Sequence, residues 1–275
     1  MKLSLFTTAS AVAAAMLIIA QPAAAQETEA PKALTVTGSI ALVSDYRFRG
    51  VSQSDEELAV QGGFTVTHES GLYAGTWASN LAGWGAFGGS NSELDLFAGY
   101  KRPIGGATLD VGLTWYMYPG GASNTDFAEP YVKLSSTVGP VSVLGGFAYA
   151  PKQRALGNFS NTPFSRGQSD DNIYVWGDAS VGIPKTPITA KAHVGYSDGN
   201  PGLGPNGTSV APTGKYVDWL LGVDAVVGPL VLGVAYVDTD ITSAESAYLL
   251  PNFSSTKDGG PIAGPQVVFS VSASF

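Results

Sequence analysis

SDYRFRG (Ser44–Gly50) places an aspartate and two arginines at every second position, with a tyrosine and a phenylalanine between them. The alternation begins earlier, at Leu34. Val36, Ile40, Leu42, Tyr46 and Phe48 fall on one face of an extended segment 34–49, and Thr37, Ser39, Asp45, Arg47 and Arg49 fall on the other. A strand with one apolar and one charged face fits a wall between lipid and a polar lumen. A soluble sandwich alternates as well, with its polar residues outside, so the rest of the chain must decide.

Working outward, about twelve period-2 segments of roughly ten residues follow one another, the length a tilted strand needs to cross a bilayer. They are 34–49, 59–69, 72–81, 93–102, 107–118, 129–138, 141–150, 172–183, 188–198, 216–227, 230–241 and 266–275. The split into faces recurs. Leu109, Val111, Leu113 and Trp115 oppose Asp110, Thr114 and Tyr116, and Val217, Trp219, Leu221, Val223 and Ala225 oppose Asp218 and Asp224. The connections alternate too. Short Gly/Pro-marked turns at 69–71, 103–107, 139–140, 184–187 and 228–229 are interleaved with longer polar loops such as 151–171, 199–215 and 242–265. Short turns on one side and long loops on the other are expected of an all-β transmembrane antiparallel barrel with periplasmic turns and extracellular loops. A soluble Greek key has no reason to sort them this way.

Composition agrees with that class. The chain is 44% hydrophobic and only 13% charged, and past the N-terminus it holds no apolar run long enough for a membrane helix. Residues 1–25 carry Lys2, an apolar core from Ala11 to Ala20, Pro22 and the small-residue site Ala23-Ala24-Ala25, the pattern of a cleaved export signal. Three regions are therefore expected: a signal at 1–25 cleaved after Ala25, a flexible lead-in at 26–33, and a barrel at 34–275. Without Lys2 the mature chain has 13 basic and 22 acidic residues, 13 − 22 = −9, which disfavours nucleic acid as a partner. Absence of cysteine removes disulfides and thiol chemistry. Aromatics on the apolar parity gather at segment ends. Tyr46, Phe48, Trp77, Trp115, Tyr149, Tyr196, Trp219 and Tyr236 lie toward the long loops, and Tyr73, Tyr100 and Phe275 toward the short turns, as two interfacial girdles would. The last segment, QVVFSVSASF, ends on Phe275, which is expected to act as an assembly signal read by the outer-membrane barrel-assembly machinery.

The run SDYRFRGVSQSD (44–55), with AVQGGF (59–64) and HESGLYAGTWASN (68–80), resembles the opening of the TorF-type porin family of proteobacterial outer membranes; DLFAGY (95–100) and GLTWYMYPG (112–120) are further echoes. The resemblance implies a barrel of channel function in the cell outer membrane and names no solute.

On the inward parity the pore-lining candidates are Asp45, Arg47, Arg49, Glu69, Glu93, Asp95, Lys101, Asp110, Glu129, Lys133, Asp178, Lys191, His193, Asp218 and Asp224. Tyr46 and Phe48 are expected to meet lipid at the outer interface. Arg47 is expected beside Gln61, about 7 Å from its neighbours Asp45 and Arg49 along the wall, with Arg47 and Arg49 facing Asp218 or Asp224 across the lumen. Either a hydrated pore or an interior locked by its own ion pairs fits this inventory. The loop 151–171, with charges of both signs, is a candidate to bend inward over the mouth.

Other chemistry finds little purchase. Gly83-Trp84-Gly85-Ala86-Phe87-Gly88 has a GxGxxG spacing with no helix after it to hold a phosphate. Only two histidines exist. His68 reads as interfacial and His193 as luminal beside Lys191, and no cofactor or metal set is expected. The acids Asp170, Asp171, Asp238, Asp240 and Glu245 lack a calcium-loop spacing. The expected function is an outer-membrane porin, not an enzyme: a passive channel for small hydrophilic solutes, with acids outnumbering bases inside and hence a weak cation preference. Its expected partners are outer-membrane lipids, the assembly machinery and those solutes. The alternatives are a barrel lipid hydrolase using His68 with Ser70 or Ser79, although no GxSxG elbow is present, and a non-conducting structural or adhesion barrel.

Overall fold

The computed structural model describes residues 33–83, 88–157, 168–201, 209–249 and 253–275. The expected signal at 1–25 and nearly all of the 26–33 lead-in lie outside the described residues. Extended segments with branched and aromatic residues at alternate positions form strands, and the Gly/Pro pairs end them. In chain order the strands are β1 (Leu34–Val43), β2 (Arg47–Phe48), β3 (Val51–Ser52), β4 (Ala59–His68), β5 (Leu72–Asn80), β6 (Ser92–Ile104), β7 (Ala107–Met117), β8 (Phe127–Val138), β9 (Val141–Gln153), β10 (Asp170–Gly182), β11 (Ile188–Gly199), β12 (Lys215–Val227), β13 (Leu230–Thr239) and β14 (Gln266–Ser274). Two short helices, α1 (Arg154–Gly157) and α2 (Ser243–Leu249), sit in the loops.

All strands except β2 and β3 close into one antiparallel barrel in which sequence neighbours pair and β1 meets β14. At the seam Ser39 pairs with Ser274 and Val43 with Ser270. Gly38 and Phe275 extend the seam by exchanging backbone hydrogen bonds, 2.7 and 2.9 Å. The Phe275 ring lies over Gly38, so a side chain at that position would have to push the terminal ring aside. Closing the seam leaves no unpaired edge in the membrane, where each unsatisfied backbone group would cost several kcal/mol, on the order of the loss of a hydrogen bond in hydrocarbon.

Connections 69–71, 105–106, 139–140, 183–187 and 228–229 are short and share one end of the barrel; 44–58, 81–91, 118–126, 154–169, 200–214 and 240–265 share the other. The outer wall is apolar and exposed, with Val36, Ile40, Phe64, Leu96, Leu134, Leu221 and Phe269 among its residues. Trp115, Tyr149, Tyr196 and Tyr236 stand outward toward the long loops, and Tyr100 and Phe275 toward the short turns, as the girdle pattern anticipates.

Four aromatics of the expected girdles do not lie there. Tyr73 and Trp77 are buried in the interior, because β5 turns Leu72, Ala74 and Asn80 outward and its aromatics inward. The first segment differs more. β1 ends at Val43, paired with Ala59, so the loop begins at Ser44. Tyr46 and Phe48 are therefore not at the lipid interface but inside, at 0% and 3% exposure.

Candidate functional site

Residues 44–58 fold into the barrel. After Val43 the chain leaves the wall, and Arg47 pairs with Ser52 and Phe48 with Val51 in a small hairpin, β2–β3. Its tip is Arg49-Gly50, both at positive φ (50° and 80°), the geometry of a two-residue hairpin turn of the I′ kind. Gly50 packs against Thr239 and Asp218, where a Cβ would collide. Arg49 in the left-handed region costs about 1–2 kcal/mol, and its side-chain contacts offset that.

Those contacts tie the hairpin to the wall. Arg49 Nη2 donates to both Glu129 oxygens at 2.7 Å, and its guanidinium lies over Tyr174, 4.1 Å from the ring centre, with Phe48 at 4.8 Å. Tyr216 donates to the Arg49 carbonyl at 3.0 Å. Arg47 Nε donates to Asp45 at 2.5 Å, and its Nη1 donates to the carbonyls of Gly50 and Gly264 at 2.9 and 2.7 Å. Glu56 takes a further bond from Arg47 at 3.3 Å; burial pushes its carboxyl above the ordinary range while Arg47 pulls it back. Asp45 also accepts from Ser52 at 2.6 Å, and Tyr46 donates to Glu93 at 2.8 Å. Asp55 accepts from Thr256, and Ser52 N–H donates to Ile262 C=O at 2.9 Å, so the 240–265 loop closes over the hairpin.

The expected site residues can now be placed. Glu93, Asp95, Asp110, Glu129, Lys133, Asp178, Lys191, Asp218 and Asp224 are buried on the inward face, with Lys101 and His193 less fully so. Asp45, Arg47 and Arg49 are inside as expected, but on the hairpin rather than the wall. Arg47 is therefore not beside Gln61, which pairs with Ala41, and Asp45 is a direct partner rather than a distant neighbour. Nor do the arginines face Asp218 or Asp224 in ion pairs. Asp224 holds Lys191 at 2.6 Å, and Asp218 meets His193 at 3.1 Å, with Asp178 on the other ring nitrogen at 2.7 Å. Glu69 is a correction: it sits in the exposed 69–71 turn past the end of β4 and cannot line a lumen.

The interior has two unequal halves. From β5 to β10 it is filled. Tyr46 packs edge-on to Trp77, Tyr116 stacks on Phe127 at 4.6 Å, and Tyr73 donates to Asp110 at 2.5 Å. Lys133 lies 4.0 Å from the Tyr131 ring centre. Trp176 is seated over Gly146, a position where a side chain would collide with the indole. Along β12–β14 and β1 several inward residues are small or short and half-buried, Gly222, Val268, Ser270, Ser39 and Ala41 among them, while Tyr216, Asp218, Asp224 and the inward residues of β13 are buried. Between this wall and the hairpin lies a cavity of about 120 Å³.

His68 and Ser70 do approach, with Ser70 Oγ 2.8 Å from His68 Nδ1, but the same nitrogen also accepts the Ser70 backbone N–H at 3.1 Å. This is a local turn at the short-turn end; Ser79 lies at the other end of the wall, opposite Gln61. The GxGxxG stretch falls largely outside the described residues, with Gly83 and Gly88 both at positive φ. Of the loop acids, Asp171 and Asp238 accept from Tyr149 and Tyr236, each at 2.8 Å. Glu245 caps α2 through Thr242, which holds its carboxyl below the usual range. Among the described residues no group of three or more His, Cys, Asp or Glu is arranged to hold a metal.

A family described as "Bacterial protein of unknown function (Gcw_chp)" matches residues 25–275. The chain belongs to the Gcw_chp family. The comparison with curated proteins gives no match. Among solved structures, "KdgM porin in complex with disordered oligogalacturonate" is similar at 9% identity, covering 87% of this chain and 98% of that one, with a TM-score of 0.49. A structure described as "Unveiling the Mechanism Behind the in-meso Crystallization of Membrane Proteins" is similar at 9% identity, over 87% of this chain and 83% of that one, TM-score 0.50. A refined porin is similar at 10% identity over 88% and 100%, TM-score 0.43. Likeness at such identity speaks of the fold alone: this member of the family is a closed antiparallel β-barrel.

Proposed function

We propose that the protein is an outer-membrane porin of the TorF type, a passive channel for small hydrophilic solutes whose passage runs along β12–β14 and β1 and is narrowed by the 44–58 hairpin. The observation that carries this reading is the asymmetry of the interior. A purely structural barrel is cheapest to fill with apolar side chains, since a buried ion pair gains little or nothing over a hydrophobic replacement. Here charges are retained beside a stretch of wall whose inward residues on β14 and β1, Val268, Ser270, Ser39 and Ala41, are small and half-buried. Carboxylates outnumber cations on the inward face, and most are paired, which favours a weak rather than steep cation preference. Export would remove residues 1–25 after Ala25, and the apolar belt would sit among outer-membrane lipids after insertion by the assembly machinery.

The test is single-channel recording on the refolded chain in planar bilayers with a salt gradient. Discrete ohmic steps with a reversal potential displaced modestly toward the cation side are expected. A folded barrel that gives no current over many insertions would refute the channel.

A further inference from the structure

One sector of the outer wall differs from the rest, whether or not the barrel conducts. From β7 to β13 every second strand turns an aromatic outward toward the long loops: Trp115, Tyr149, Tyr196 and Tyr236. Around the closed barrel the same alternation next reaches β1 and β5, and neither turns an aromatic outward. Both aromatics of β5 are inside, and Leu42 and Asn80 stand at the outward positions near the long loops. Outward Trp and Tyr anchor a wall among lipid headgroups, so a sector without them is fitted to a different neighbour. We infer that the face made by β1, β4, β5 and β6 docks a second copy of this chain, about a two-fold axis along the membrane normal between β4 and β5.

The relief of this face is self-complementary. On β4, Phe64 projects from the middle of the wall at 51% exposure. Beside it the outward residues of β5 are Ala74, Thr76 and Ala78, and beyond them Leu96 of β6 rises again at 50%. A knob therefore stands next to a groove. Thr76 Oγ1 donates to the Asp95 carbonyl at 2.9 Å, so its hydroxyl is used within the wall and the groove floor is apolar. Phe64 pairs with Thr76, which puts knob and groove centre at one level to within about one residue's rise on a tilted strand. Rotation by half a turn between β4 and β5 sets each Phe64 into the groove of the other copy and keeps both sets of long loops on the same side of the membrane. Knob and groove on adjacent strands suit such an isologous contact; a head-to-tail ring needs them on separate sectors. Four strands ~4.8 Å apart, across an apolar band ~25 Å tall, offer roughly 480 Å² per copy and about 1,000 Å² for the pair, the floor for a specific interface. Lipid tails are as apolar as this wall, so close packing rather than water release drives the contact, and the small residues of the groove permit it. The expected state is a reversible dimer.

The test uses the full refolded chain. Sedimentation equilibrium in density-matched detergent micelles is expected to show monomer and dimer. Phe64→Ala should raise the dissociation constant at least about tenfold, because the two-fold loses the ring twice. Ala78→Leu fills the groove with the knob intact and should do the same. Both side chains face lipid, so the heat-modifiable barrel on unheated gels should persist in each; if Phe64→Ala does not fold, Ala78→Leu decides. The chain has no cysteine, so a single introduced thiol reports one position. In lipid vesicles, a bis-maleimide that spans the ~10 Å between packed sheet faces should join Ala78→Cys into dimers. Val194→Cys, exposed on β11 across the barrel, should stay monomeric. A chain monomeric at every concentration, a trimer or larger ring, a dimer indifferent to both lipid-facing variants, or equal cross-linking at Val194 overturns the docking face.

Discussion

Arg49→Ala should destabilise the barrel severely, and the geometry says by how much. Arg49 gives Glu129 two hydrogen bonds at 2.7 Å inside a site where the two side chains are 5% and 1% exposed. Among the described residues, removing the guanidinium leaves Glu129 with only a bond from Tyr116 at 3.3 Å. Breaking a buried pair from one side costs about 3–5 kcal/mol, and loss of the contact with the Tyr174 ring is part of that sum. Alanine relieves none of the cost of the positive φ at this position, so no compensating gain is expected. Neutralising the stranded partner changes the arithmetic. In Arg49→Ala/Glu129→Gln the buried charge is gone, and only packing and hydrogen bonding are missing, a residual loss of about 1–2 kcal/mol. The assay is guanidinium unfolding of the refolded protein in lipid vesicles, followed by tryptophan fluorescence, with unheated gels to confirm a folded start. The double variant should be more stable than the single one. A single variant within about 1 kcal/mol of the parent, or a double variant no better than the single, would refute the view that this pair anchors the hairpin.

Further outcomes can be checked on the same preparation. Replacing 47–52 by a short Gly/Ser link, together with Asp45→Asn and Glu129→Gln so that no buried carboxylate is stranded, should raise single-channel conductance severalfold in a less stable barrel that still closes, because the wall closes without β2 and β3; unchanged conductance would remove the hairpin from the passage. Deleting Phe275 should lower the yield of heat-modifiable barrel without stopping export, since the residue completes the β1–β14 seam at Gly38; an unaltered folded yield on unheated gels counts against it. Mass spectrometry of the outer-membrane form should find Gln26 at the N-terminus, and a chain retaining Met1 would contradict the expected cleavage.

The wall of this barrel was legible because two independent periodicities agree. Inward and outward positions alternate along each strand, and short and long connections alternate between strands. Each strand expected from the pattern is present, and most boundaries move by only a few residues. The interior was legible only as an inventory. Glu93, Asp110, Glu129, Asp178, Lys191 and Asp218 were placed inside by parity alone, but their partners were not, because ion pairing across a lumen depends on strand tilt and on what fills the middle. Pattern and structure part most widely after Val43, where β1 ends. The alternation of SDYRFRG continues that of β1 without a break, so parity carried Tyr46 and Phe48 outward. What parity could not register is that the wall strand stops at Val43 and a second, unrelated alternation begins within the hairpin. One local signal was present. Gly50 follows Arg49 where the apolar–polar pattern reverses into Val51-Ser52, and a glycine between two short alternating runs marks a tight hairpin. Asn-Gly or Asp-Gly would have announced that turn; Arg-Gly does not, because arginine reaches positive φ here only with Glu129, distant in sequence and adjacent in space, holding its side chain. Trp77 and Tyr73 were misplaced for a related reason. An interfacial girdle and a filled lumen both call for aromatics near strand ends, and the choice between them is made by Tyr46 and Asp110, inward residues that meet these rings only after the barrel has closed.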